Sequence, residues 1–109
     1  MNKQFFASDP LPIVKLKIAV GDRALTFEGR EADTLNRLVR RGGLGMTSIE
    51  NHGPRISHYV MKIRRAGLVV DTVREPHDGG FPGKHGRHFL RSPVRVLERV
   101  YVGEARHAA

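Results

Sequence analysis

The sequence predicts an α+β domain, and three observations carry that prediction. Residues 13–28 alternate apolar and polar side chains around a Gly-Asp turn. Residues 30–41 and 54–66 each place their apolar residues on one side of a helix. A strand, a glycine-rich loop and a returning strand account for residues 68–91. A chain of 109 residues suits one domain with a core of its own.

The first element is a hairpin over 13–28. Val14, Leu16, Ile18 and Val20 alternate with Lys15, Lys17 and Ala19, Gly21-Asp22-Arg23 has turn chemistry, and Leu25 and Phe27 continue one apolar face. Gly29 ends the strand. In the helix over 30–41, Ala32, Leu35, Leu38 and Val39 form one stripe. Its acidic first turn (Glu31, Asp33) and basic last turn (Arg40, Arg41) suit the helix dipole, and Gly42-Gly43 stops it. Thr47 followed by Glu50 is a capping-box pattern, so a short second helix is expected from Ser48 until His52-Gly53-Pro54 interrupts it. Pro54 is suited to the first position of a third helix, expected to run to about Ala66 with Ile56, Tyr59, Val60 and Ile63 on its apolar face.

A strand is expected from Leu68 to Glu75. The next 11 residues, PHDGGFPGKHG, hold four glycines and two prolines and read as an irregular loop. RHFLR, 87–91, is the return. The segment after Ser92-Pro93 fits two patterns. Val94, Leu97, Val100 and Tyr101 would share a helix face, whereas Val100 and Val102 would share a strand face. The expected organisation is therefore a flexible arm over 1–12, a domain over 13–92 and a C-terminal segment over 93–109, a short helix before a frayed tail being one possibility.

Charge dominates the composition. Nineteen Lys and Arg against 11 Asp and Glu give a formal net charge of +8, which draws polyanions, nucleic acid above all. The absence of cysteine excludes disulfides and thiolate metal sites. No apolar run is long enough to span a bilayer and no secretory signal is evident, so a cytoplasmic protein without membrane contact is expected.

The order from 30 to 91, and above all YVMKIRRAGLVV at 59–70, resembles the winged helix-turn-helix domains of bacterial and phage DNA-binding proteins. GLGMTSIENHGPRISHYVMKIRRAGL also resembles small winged-helix proteins of bacteria and their prophages. The resemblance covers about 60 residues and implies a three-helix core plus a β-wing, with the hairpin as an N-terminal addition. It also implies that the third helix enters the DNA major groove while the wing, 68–91, touches the backbone. The Gly-Pro turn, the very short second helix and the long wing loop depart from the usual pattern.

The residues themselves point the same way. At about 100° per residue, Arg55, His58, Lys62 and Arg65 form a stripe apart from Ile56, Val60 and Ile63. Arginine bonds guanine bidentately, and Met61 in the middle of the stripe suits a thymine methyl. The N-terminal half of a recognition helix approaches the bases, which places Arg55, Ser57 and His58 near base edges and Lys62 and Arg65 near phosphate. Ser48, at a helix start, is a candidate phosphate contact, although a plain cap explains it as well. Arg74, Lys84, His85 and Arg87 make the wing basic and are candidate backbone contacts. A solvated outer face and a surface loop touching nothing are the plain alternatives for the stripe and the wing.

Double-stranded DNA is thus the expected partner and transcriptional regulation the expected role, with a homodimer as a further possibility. His77, Asp78, His85 and His88 lie near one another in sequence, but a cysteine-free glycine-rich loop gives no tight ligand geometry, so no metal is expected. No phosphate-loop lysine or nucleophile elbow is present, and Asp71 with Glu75 is a weak nuclease signal; neither enzyme activity, cofactor nor small-molecule ligand is expected. The rival readings are a protein-interaction module on the same scaffold and a non-specific architectural nucleic-acid binder.

Overall fold

The structure, a computed structural model, describes residues 12–47, 55–77 and 83–103; at 77, 83 and 84 it describes the backbone only. The hairpin forms as expected. Strands β1 (Ile13–Val20) and β2 (Arg23–Glu28) pair antiparallel, from Lys15↔Glu28 to Val20↔Arg23. Within the two-residue turn only Gly21 has a positive φ, 60°, the arrangement in which glycine at the first turn position matches the strand twist. Leu16, Ile18 and Phe27 are buried on the face covered by helix α1 (Gly29–Arg41), which contributes Ala32, Leu35 and Leu38. α1 ends at Gly42, whose N–H donates to the Leu38 carbonyl.

A single 3-10 turn, Gly42–Leu44, follows α1. Gly45 then fits where no side chain would. Its φ is 72°, and an added Cβ would stand 2.7 Å from the Phe89 ring and 2.8 Å from Arg87 Cγ. This close approach lets Met46 exchange two backbone hydrogen bonds with His88, of 2.9 and 2.8 Å. The second helix expected from Ser48 falls outside the described residues. Among the described residues the core has two α-helices.

Helix α2 (Ile56–Arg65) buries Ile56, Val60 and Ile63. Arg55 is its N-cap, so the helix begins later than the expected start at Pro54, which lies outside the described residues. Gly67, with φ 107°, turns the chain towards the ribbon.

The ribbon corrects the expected loop. Strands β3 (Val70–His77) and β4 (Gly83–Leu90) pair continuously from Val70↔Leu90 to His77↔Gly83, so Pro76, His85 and Gly86 belong to the ladder. The reason is the edge. Arg91 N–H donates to Val69 O, 2.8 Å, which fixes the phase of the ladder. The pairs 71/89, 73/87 and 75/85 therefore face inward, and the backbone groups of Val70, Thr72, Arg74 and Pro76 face the free edge. The missing proline N–H is lost where no strand needs it.

The C-terminal segment adopts one of the two patterns that fit its sequence. Arg95–Tyr101 is strand β5, not a helix, and pairs with β1 to give the sheet order β2-β1-β5. β1 has a second edge to satisfy, and Val96, Val100 and Tyr101 are partly buried along it. The register jumps from Lys17↔Glu98 to Ile18↔Val96, which leaves Leu97 as a bulge residue, 45% exposed. Arg99 Nε donates to Oδ1 of buried Asn36 at 2.7 Å and ties β5 to α1. The segment is thus part of the sheet that holds the hairpin.

Candidate nucleic-acid interface

The apolar face of α2 is spent on the core, and its opposite face carries charge. Arg55, Ser57, Met61, Lys62 and Arg65 are exposed, and His58 is half-buried with its ring edge-on to Tyr59 at 5.0 Å. The structure brings four of the expected contacts together. The imidazolium of His58 is disfavoured first by desolvation and then by the charges of Arg55, Lys62 and Arg65, while Glu31 opposes the shift. Glu31, from the first turn of α1, also lies 3.7 Å from Lys62. One acid therefore borders a cluster of four basic groups.

Arg55 differs from the expected stripe in one respect. It precedes the helix and has left-handed backbone angles, φ 60° and ψ 41°, making it the one non-glycine residue with positive φ among the described residues. Its carbonyl still accepts from the N–H groups of His58 and Tyr59. Its side chain thus leaves from a non-helical backbone ahead of the first turn.

Arg64 turns away from the cluster. Its guanidinium donates to Val70 O at 2.9 and 2.7 Å and to Thr72 Oγ1 at 2.8 Å, clasping α2 to β3. Thr72 Oγ1 in turn lies 2.8 Å from Nδ1 of buried His88. A hydroxyl that accepts from Arg64 keeps its own proton for Nδ1, which suits a neutral imidazole. Burial, and secondarily Arg64, lowers the His88 pKa to the same effect.

On the ribbon the expected contacts separate. Arg74 is exposed and belongs to the same alternating set as Thr72, which meets Arg64. His85 and Arg87 lie on the opposite ribbon face, 14% and 16% exposed, and both bond Glu75 Oε1, at 2.8 Å and 2.9–3.0 Å. These bonds, that of Arg87 first, hold the Glu75 carboxyl below its usual pKa. Arg87 also donates to Leu44 O at 3.0 Å. Lys84 stands in β4 opposite Pro76, and its side chain is outside the described set; Ser48 is outside it altogether. Asp71 is 2.9 Å from Arg91, separate from Glu75 and its partners. His85 and His88 have opposite strand parity and face opposite sides of β4. Sequence reasoning missed Arg64, Glu75 and Glu31 as organisers, because cross-strand and interhelical partners have no fixed sequence spacing.

The family described as Winged helix domain matches residues 24–100, more than half of the chain. The chain belongs to the winged helix domain family. The match runs through α1, α2, both ribbon strands and β5 up to Val100, so the ribbon β3–β4 is the wing and Met46 adds a one-residue bridge to it. β1, the centre of the three-stranded sheet, lies outside the match although both strands it pairs with are inside. No curated protein and no solved structure matches the chain. Membership of a winged helix family points in general terms to DNA. No helix among the described residues is long and apolar enough to cross a membrane.

Proposed function

We propose that this winged helix domain binds double-stranded DNA with α2 in the major groove and the wing along the backbone. The observation that carries the reading is the cluster of Arg55, His58, Lys62 and Arg65, set opposite the buried Ile56, Val60 and Ile63 and bordered, among the described residues, by the single acid Glu31. A helix fits the groove with its N-terminal residues nearest the bases. Arg55, Ser57 and His58 then read base edges, and Lys62 and Arg65 hold phosphate. Arg74 is the wing residue on the α2 side that continues the footprint. His85 and Arg87, bound to Glu75, shape the wing instead.

The proposal takes in the second helix expected from Ser48, which lies outside the described residues. It assigns no catalysis. A regulator of transcription that acts by occupying its site fits best, working in the cytoplasm like the bacterial and prophage proteins the sequence resembles. Two copies on half-sites about one turn apart would extend the footprint.

Duplex binding followed by fluorescence anisotropy across a salt series tests this. Arg55, Lys62 and Arg65 changed together to Ala should lower affinity roughly 100-fold and flatten the salt slope by nearly two units, about 0.9 for each of the two phosphate contacts. Lys17, Arg40 and Arg95, exposed and changed together to Ala, carry the same charge change and should leave most of the binding. Equal losses would remove α2 as the DNA face.

A further inference from the structure

The hairpin brings one more cation to α2. Arg23 is the first residue of β2, paired with Val20, and shares the alternating set of Leu25 and Phe27, the side of the sheet that the helices cover. Its side chain nevertheless reaches past the sheet and remains exposed. Nη1 and Nη2 lie 3.4 and 3.8 Å from the point where a Cβ on Gly67 would stand, so the guanidinium rests at the C-terminal end of α2. Arg65, exposed, is two residues earlier in the chain. Among the described residues Arg23 has no carboxylate partner, whereas Lys62, Arg87 and Arg91 each have one.

We propose that Arg23 is a phosphate contact supplied by the hairpin at the outer end of the recognition helix. The inference rests on the reading of α2 as the DNA helix. A ten-residue helix is about 15 Å long and the major groove is about 8.5 Å deep. With its N-terminal residues at the bases, the C-terminal end rises towards the phosphates that border the groove. A cation beyond Arg65, carried by a different element, meets that border and extends the basic ridge past the end of the helix. The ligand is the DNA backbone, so Arg23 adds affinity and orientation without base preference.

An arginine at a helix C-terminus also complements the helix dipole, a purely structural role. Salt dependence separates the two. Arg23→Ala should lower the slope of log K against log salt by about 0.9, one phosphate's worth, and weaken all duplex sequences alike. Arg23→Lys should restore most of the slope. Arg95→Ala removes the same charge from the opposite face of the sheet, since Arg95 pairs with Ala19 and Arg23 with Val20, and should leave the slope unchanged. A wild-type slope in Arg23→Ala, while the Arg55, Lys62 and Arg65 triple variant still loses binding, overturns the hairpin contact alone. A lowered melting midpoint in the same variant would then assign Arg23 to the helix end. A triple variant that binds like the wild type overturns the α2 reading and this inference with it.

Discussion

The outer face of α2 and the outer face of the wing have the same kinds of residue and opposite fates. Both hold arginine and histidine within a few residues of each other. On the wing face opposite Arg74, the described cations meet acids: Arg87 and His85 meet Glu75, and Arg91 meets Asp71. On α2 four basic groups share, among the described residues, the single acid Glu31, which lies 3.7 Å from Lys62. Positive charge is therefore spent on folding in one region and left open in the other. The net charge of +8 does not distinguish them; pairing does.

Two acids sharpen the contrast because removing either changes the net charge equally. Glu31→Ala frees Lys62 on the α2 face and should raise DNA affinity on the order of fivefold at about 0.1 M salt, the effect of one more open cation near phosphate. Glu75→Ala removes the acid that Arg87 and His85 share on the far side of the wing. It should lower the melting midpoint, since the charge-assisted hydrogen bonds between β3 and β4 are lost, and should change affinity much less. Anisotropy and thermal melts on both variants check this. A larger affinity gain from Glu75→Ala would move the DNA face to the wing.

The two histidines with lowered pKa extend the comparison to pH. His88 is kept neutral in the fold, chiefly by burial, while in the unfolded chain it takes up a proton near about pH 6.5. The unfolded state thus binds more protons, and the stability contributed by the neutral ring is fully present above that pH and lost as pH falls below it. His58, lowered by desolvation and then by Arg55, Lys62 and Arg65, lies on the proposed DNA face, and the negative field of an approaching duplex favours its charged form. Acidification from pH 7.5 should therefore weaken the fold and strengthen DNA binding. His88→Gln should flatten the first profile, and His58→Gln the second. Parallel profiles would show that one group controls both.

Much of this was legible in the sequence where a single periodicity settles an element. The hairpin alternates without ambiguity, and both helices have one apolar stripe, so their faces and the α2 cluster could be read directly. The wing was read too short because glycine and proline report chain preference, whereas Pro76 and Gly86 are tolerated by a strand with a free edge. Residues 93–102 satisfied two periods at once. The unpaired edge of β1, a property of the topology, decided for the strand. Likewise, His85 and Arg87 are equally basic whether they meet Glu75 or phosphate, and only the β3–β4 register says which. Arg23 reaches Gly67 across some 40 residues of chain, and no local pattern could announce it.

The smallest expected effect concerns Arg55 and separates its backbone from its side chain. A left-handed conformation is unfavourable for a residue with a Cβ and easy for glycine. Arg55→Ala and Arg55→Gly remove the same guanidinium, so they should lose the same DNA affinity and base preference. They differ only at φ 60°, where glycine avoids the Cβ conflict with the following carbonyl, partly offset by its freer unfolded chain. Arg55→Gly should accordingly be the more stable of the two, by about 0.5–1 kcal/mol in denaturant melts. If both are equally stable, the left-handed backbone is not a conformation the fold enforces, and Arg55 can join the helix as its first residue. The side chain would then start from the helical stripe, the base contact would shift along the groove, and the two variants would still match in affinity. Affinity thus tests the guanidinium, and stability tests the turn that aims it.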